Sequence, residues 1–343
     1  MTERDPLAGK IPLTLVTGFL GSGKTTLISK LVRHPEMKRV AVVINEVGEI
    51  GIDHDLVTLS SENITLLANG CICCSVRTDL QETLRDLFTG RRSGQVPEFD
   101  RVIVETTGLA DPAPVVQTLV SDTLLAAQYR LDGLVTLVDA FNGLHQIEQQ
   151  DEAVKQIALA DRIFITKSDL VDPQTLAALQ DAVAAINPLA DRVLLLNGEV
   201  APADLMGLGL SSARASAATL SFLGESLDPK TTPVERYLGA RSSRHDSTIK
   251  TLSLRFVQPF SWARFTAALE LLSNLRGPDL LRVKGIVNVE GKPVVVQGVQ
   301  HIFHPPVELD RWPSADRDSR LVFIVRKIEA EQIRQLFDIV GAL

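Results

Sequence analysis

The sequence predicts an α/β chain: a mostly parallel sheet with helices on both faces, followed by a smaller α+β domain. Three observations predict it. Continuous apolar, β-branched runs recur at residues 11–17, 39–44, 101–105, 133–139 and 162–166, as strands buried on both faces do. Helical periodicity fills intervals between them at 80–88, 115–129 and 174–186, the alternation that a parallel sheet requires. Beyond residue 248, strand-like runs follow one another with few helices between them, which marks antiparallel pairing.

Taken in order, 11–17 is the first strand; it ends in a glycine-rich turn, and 25–32 reads as the helix that follows. Residues 39–44 form a second strand and 64–67 a weaker one, and 101–105, 133–139, 162–166 and 192–196 continue the series. From 211 to about 247 the texture turns to Ser, Ala, Thr and Arg with little periodicity, so this stretch reads as a linker with room for a short helix. Then 249–257 alternates as a strand, 262–275 as a helix, and 280–289, 293–303 and 320–327 as strands. A last helix covers 330–340. The expected division is 1–210, a linker over 211–247, and a second domain over 248–343.

Composition narrows the function. The 343 residues are 45 % hydrophobic and 22 % charged, enough apolar side chain for a real core. The net charge of -7 argues against a protein built to grip nucleic acid. Residues 1–10 are charged and lack an apolar core, and no uncharged apolar stretch is long enough to span a bilayer. No membrane partner and a cytoplasmic location are therefore expected.

Gly18-Phe19-Leu20-Gly21-Ser22-Gly23-Lys24-Thr25 fits G-x-x-x-x-G-K-[ST] between a strand and a helix, the context in which this pattern cradles phosphate. The fold expected is therefore that of a P-loop NTPase. Backbone N–H groups of the turn, with Ser22 among them, would face phosphate oxygens from the helix start. Lys24 would add charge at the β- and γ-phosphates, and Thr25 would ligate Mg(II). Glu105 closes an apolar strand and precedes Thr106-Thr107-Gly108. Its carboxylate is placed to hold Mg(II) through water or to orient the attacking water, and the Gly108 N–H to sense the γ-phosphate. Lys24, Glu105 and Gly108 are the catalytic candidates.

Thr166-Lys167-Ser168-Asp169 follows another strand and resembles the guanine-reading [NT]-K-x-D element, with Thr in place of the commoner Asn. Asp169 would accept two hydrogen bonds from the guanine edge while the Lys167 stem covers the ring. A buried Asp169 would be left unpaired against adenine, so GTP is the expected nucleotide.

The only 3 cysteines stand together in Cys71-Ile72-Cys73-Cys74. Neighbours so close are poorly placed to form disulfides, and crowded thiolates are relieved by a soft or borderline cation. Zn(II) fits, leaving a fourth position for a carboxylate, a histidine, water or a partner's ligand. Co(II) is the other candidate, since affinity alone does not select the metal.

The ordered set Gly18 to Thr26, Asn45-Glu46-Val47-Gly48-Glu49, Gly70-Cys71-Ile72-Cys73-Cys74, Glu105-Thr106-Thr107-Gly108 and Thr166-Lys167-Ser168-Asp169 resembles the CobW-type family of metal-handling GTPases. These are similar to the nickel-insertion GTPases of hydrogenase and urease. Arg282-Val283-Lys284-Gly285 and Val296-Gln297-Gly298-Val299-Gln300 resemble the family's C-terminal domain. The resemblance implies GTP hydrolysis, metal binding at the C-x-C-C cysteines and delivery of the metal to a client apo-metalloprotein. It further implies Thr26, Ser75, Val76 and Arg77 near the nucleotide, and Glu46 and Glu49 as metal-linked residues of a nucleotide-sensitive loop. A homodimer is compatible with it. The competing reading is a non-catalytic, nucleotide-gated scaffold that activates a metalloenzyme such as nitrile hydratase or a cobalamin-pathway enzyme. Many relatives carry a histidine-rich segment, whereas this chain has 6 histidines with His301 and His304 the only close pair; a structural role is expected for that pair.

Overall fold

The structure is a computed structural model that describes residues 9–44, 56–58, 64–67, 72–75, 80–208, 249–300, 302–303, 306–313 and 315–342. The chain groups into two compact units that interleave along the sequence. One takes Met1–Gln146, Ala160–Leu176 and Arg192–Gly209; the other takes Ile147–Leu159, Ala177–Asp191 and Leu210–Leu343. The linker expected over 211–247 lies outside the described residues.

The first unit is built on one sheet. Its strands are β1 (Ile11–Gly18), β2 (Val40–Ile44), β3 (Leu56–Thr58), β4 (Ile64–Leu67), β5 (Ile72–Ser75), β6 (Arg101–Glu105), β7 (Tyr129–Asp139), β8 (Arg162–Thr166) and β9 (Asp191–Leu195), in the order β3-β4-β5-β2-β6-β1-β7-β8-β9. The six from β5 to β8 run parallel, and β3 and β4 add an antiparallel edge. All six parallel strands therefore end on one side, the side where α/β sheets bind ligands. Helix α1 (Lys24–Val32) presents Leu27, Ile28, Leu31 and Val32 at helical spacing to Val16, Val42, Ile44, Ile103, Val135, Leu137 and Phe164. Each such burial stabilises by about 1.5–3 kcal/mol, and this packing fixes the start of α1 against the tip of β1.

Helix α2 (Leu80–Ser93) is longer than its expected span. The single helix expected over 115–129 is instead two, α3 (Pro112–Ser121) and α4 (Thr123–Gln128). The reason is Asp122, extended at φ -81° and ψ 113°, whose Oδ1 accepts the N–H groups of Leu124 (2.8 Å) and Leu125 (3.1 Å). A capping aspartate ends one helix and begins the next. Two more helices, α5 (Gly143–Gln149) and α6 (Asp151–Leu159), precede β8, and α7 (Pro173–Ile186) follows it.

The second unit holds an antiparallel sheet of β10 (Ile249–Phe256), β11 (Leu280–Val289), β12 (Lys292–Val299), β13 (Ile302–Phe303), β14 (Val307–Glu308) and β15 (Ser319–Arg326). The order is β10-β15-β11-β12-β13, with β14 on β12. The strand expected over 293–303 stops at Val299, where Gln300 turns left-handed (φ 52°) and its N–H goes to the Leu281 carbonyl at 3.1 Å. Side chains alternate between faces. Val283, Val287 and Phe323 meet Phe265, Leu269 and Leu272 of α8 (Trp262–Arg276) and Phe337 of α9 (Ala330–Ala342). Ile286, Val295 and Val322 instead meet Leu189, just past α7. Here the C-terminal sheet holds helices from far upstream. The buried Arg282 guanidinium donates to the Leu159 carbonyl at the end of α6. Thr251 Oγ1 donates to the Ile186 carbonyl (3.2 Å), and Asn187 Nδ2 to those of Ile157 (2.8 Å) and Ala158 (3.2 Å). Among the described residues no helix is long and apolar enough to cross a membrane.

Candidate functional site

The turn between β1 and α1 is set by its glycines. Gly18, Gly21 and Gly23 have φ of 144°, 73° and 94°, conformations costly for side-chain-bearing residues. The turn closes with Ser22 N–H on the Phe19 carbonyl (3.2 Å). Lys24 is only 5 % exposed, and its Nζ donates to the carbonyls of Gly18 (2.9 Å) and Phe19 (3.3 Å). The ammonium thus lies across the loop at the start of a helix, where backbone N–H groups and the macrodipole both favour an anion. The Ser22 hydroxyl is buried and has no hydrogen-bond partner among the described residues. Thr26, the third residue of the helix, lies against the Asn197-Gly198 turn after β9: a Cβ on Gly198 would come within 3.3 Å of its Cγ2.

The tip of β6 meets this loop. Val16 pairs with Glu105 across β1 and β6, and the fully buried Glu105 accepts a hydrogen bond from Thr25 Oγ1 on Oε1 at 3.0 Å. Thr106 is tied back twice, its N–H on the Val16 carbonyl (3.0 Å) and its Oγ1 on Thr17 Oγ1 (2.8 Å). Gly108 then passes so near the phosphate loop that an added Cβ would lie 2.7 Å from Leu20 N; no larger residue fits. A hydroxyl and a carboxylate brought together beside a phosphate loop form the hard oxygen donor set that Mg(II) takes, so Thr25 and Glu105 fit that ion.

The tip of β8 completes the cluster. Thr166 Oγ1 donates to the carbonyls of Ser22 (2.9 Å) and Val138 (3.3 Å), joining β8 to the phosphate loop. Lys167 is left-handed (φ 58°), and its Nζ donates to Asp139 Oδ2 at 2.7 Å. Asp169 falls in the short turn Ser168–Leu170 and is exposed. The turn lies beyond the strand tip, where Asp169 is open to solvent.

Sequence reasoning missed Asp139, which is 0 % exposed at the end of β7 and in register with Thr166. The signal was present, since an aspartate closes an apolar strand there as Glu105 does in β6. Burial pushes the Asp139 carboxyl up. Hydrogen bonds from Lys167, Asn142 and the Phe141 N–H, with the Lys167 charge, outweigh that and hold it below its ordinary value of 3.8. A depressed folded-state pKa means stabilisation that is present above the unfolded value and lost as pH falls through the folded one. Asp139→Ala is expected to cost about 1–3 kcal/mol at pH 7. Urea melts should show that difference shrinking once the pH drops below 3.8; a difference that stays constant down to acid pH would mean the charge is not what stabilises.

The cysteine segment is described through its backbone. Cys73, Cys74 and Ser75 lie on β5, parallel to β2, with Cys74 opposite Val43 and Ser75 opposite Ile44. Ile44 is opposite Glu105 in turn. Ser75, Ile44, Glu105 and Val16 therefore form one row across four strands. At 4.7–4.9 Å per strand, β5 runs about 10 Å from β6. Cys71, Glu46, Glu49, Val76 and Arg77 lie outside the described residues, as do His301 and His304. Among the described residues no three His, Cys, Asp or Glu side chains gather as a metal-binding group.

Comparison with known proteins agrees with this layout. Residues 12–193 match the family model described as CobW/HypB/UreG, nucleotide-binding domain, and residues 249–340 that of the Cobalamin synthesis protein cobW C-terminal domain. The chain is 33 % identical to the zinc chaperone YjiA of Escherichia coli, over 95 % of this chain and 98 % of that protein. It is 30 % identical to the zinc chaperone CobW of a Sinorhizobium species, over 86 % of each. The crystal structure of Zn(II)-bound YjiA GTPase from E. coli superposes with a TM-score of 0.73 at 29 % identity, covering 96 % of this chain and 99 % of that one.

Proposed function

The chain belongs to the CobW/HypB/UreG family, and from that premise we propose that it is a GTP-hydrolysing metallochaperone. In this reading Cys71, Cys73 and Cys74 hold Zn(II), and the metal passes to a client apo-metalloprotein. The observation that carries it is the row Ser75, Ile44, Glu105 and Val16, because it sets the cysteine strand in the same hydrogen-bonded sheet as the phosphate loop. Zinc-chaperone relatives that match along nearly the whole chain support the choice of metal, and thiolate ligands favour zinc over cobalt.

Each residue then has a task. Lys24 and the backbone of Gly18, Gly21, Ser22 and Gly23 bind the phosphates, with Thr26 beside them; Ser75, Val76 and Arg77 approach the nucleotide from the cysteine strand. Thr25 and Glu105 would hold Mg(II), which would supply positive charge to offset that of the phosphates. Glu105 orients the attacking water, and Gly108, pressed against Leu20, is where loss of the γ-phosphate is felt. Thr166, Lys167 and Asp169 select guanine, the exposed carboxylate of Asp169 becoming covered as the base docks. Glu46 and Glu49, between β2 and the cysteines, are the candidates to link the two ligands.

Magnitudes favour exchange over release. Structural zinc sites bind by about 10–16 kcal/mol, whereas coupling between sites is commonly about 1–3 kcal/mol. Hydrolysis alone therefore cannot expel the ion into water, but it can loosen one ligand while the client's ligands replace the others. A zinc titration with and without a non-hydrolysable GTP analogue tests the reading. One ion per chain, with an affinity that the analogue shifts by roughly 5- to 150-fold, is expected; identical isotherms would sink nucleotide control of the metal.

A further inference from the structure

An exposed phenylalanine stands beside the strand tips that carry the phosphate loop and the Thr166-Lys167 turn. Phe141, two residues beyond the tip of β7, is 66 % exposed although its backbone is firmly held. Its N–H donates to Asp139 Oδ1 at 2.8 Å, and the Asn142 side chain donates to Oδ2 at 3.0 Å. The same Oδ2 receives Lys167 Nζ at 2.7 Å. One buried carboxylate thus fixes two neighbouring loops: that carrying Phe141 and that carrying Lys167. Register brings them side by side, because Asp139 pairs with Thr166 and the Ala140 N–H donates to the Thr166 carbonyl at 2.8 Å. Thr166 is in turn bonded to Ser22 of the phosphate loop. An aromatic ring and a methylene stem therefore rise from adjacent strand tips on the phosphate-loop side, each with its polar or backbone group already committed to Asp139.

A purine ring in contact on both faces needs about 7–8 Å between its walls, two van der Waals separations, and loops diverging from strands 4.7–4.9 Å apart can supply that gap. We propose that Phe141 and the Lys167 stem are the two walls that sandwich the purine, with Asp139 fixing their spacing. This rests on the nucleotide reading above and extends it from the edge of the base to its faces. Edge and face are chemically distinct. Asp169 discriminates guanine from adenine, whereas stacking on Phe141 serves any purine because every base offers a π-face.

Calorimetry on the full chain with GDP, ADP and pyrophosphate separates the two. Phe141→Ala is expected to weaken GDP and ADP alike, by about tenfold or more, and to leave pyrophosphate binding unchanged. Asp169→Ala should weaken GDP alone. Phe141→Trp should retain affinity and show an emission change on adding GDP, but not pyrophosphate, beyond the response of the native Trp262 and Trp312. Wild-type GDP affinity in Phe141→Ala, or a Phe141→Trp protein that binds GDP with no added emission change, overturns the sandwich. Equal GDP and ADP affinity in the wild type would instead remove guanine reading by Asp169, while a shared loss in Phe141→Ala would still support stacking. A wild type that binds neither nucleotide would remove both.

Discussion

Replacing Lys24 by alanine is expected to lower GTP turnover by roughly 100- to 1,000-fold. The ammonium is almost wholly buried and spans the loop between the carbonyls of Gly18 and Phe19, so it acts where dielectric screening is weak. Alanine removes the charge but leaves the backbone N–H groups that the positive-φ glycines aim into the turn, so some affinity for nucleotide survives. The fold should tolerate the change. Among the lost bonds are those to two carbonyls of one loop, a cost of about 1 kcal/mol each, which corresponds to a few degrees of Tm in a chain of this size. Phosphate release at saturating GTP, beside a thermal melt, measures both effects. Undiminished turnover in a folded Lys24→Ala protein would dismantle the phosphate-loop assignment.

Changing Cys71, Cys73 and Cys74 together to serine is expected to weaken Zn(II) binding by at least a thousandfold. Thiolates supply the soft, anionic ligands on which a site stabilised by about 10–16 kcal/mol depends, and a serine hydroxyl keeps the shape without the charge. The sheet should persist, because β5 is a four-residue strand held by backbone pairing to β2 and β4. Competition against a chromophoric chelator reads the affinity, and circular dichroism reads the fold. Equal affinity in the wild type and the triple variant would move the metal to other residues. If zinc binding disappears while GTP hydrolysis continues, the two activities occupy separable residues of one sheet.

The parts of this site that could be read in advance are those where backbone chemistry demands particular residues. Gly18, Gly23 and Lys24 are required by a turn that wraps phosphate, and the apolar strands ending at Glu105 and Thr166 announce themselves by uninterrupted burial. Strand β5 was illegible because Ile72 to Ser75 is short and polar at its end; its strand character comes from pairing with β2, a contact far away in sequence. Asp122 divided a helix that periodicity alone joins, since a cap is one residue and a period is many. The Asp139–Lys167 pair is likewise a tertiary fact. Two charges separated by 28 positions carry no local mark of meeting, and only the register of β7 with β8 brings them together. Periodicity also marks that α7 buries a face without naming what covers it, and the helices expected from it do not include α6.

What covers them has a practical bearing. Stretches 147–159 and 177–191 group with the C-terminal sheet, so the two compact units alternate along the polypeptide and no single cut in the chain separates them. Cutting the gene near codon 210 would deprive Leu189 of Ile286, Val295 and Val322 and the Leu159 carbonyl of its guanidinium donor, on the very segments that lead into and out of β8. A chimera that borrows a relative's C-terminal half would have to import both upstream stretches with it.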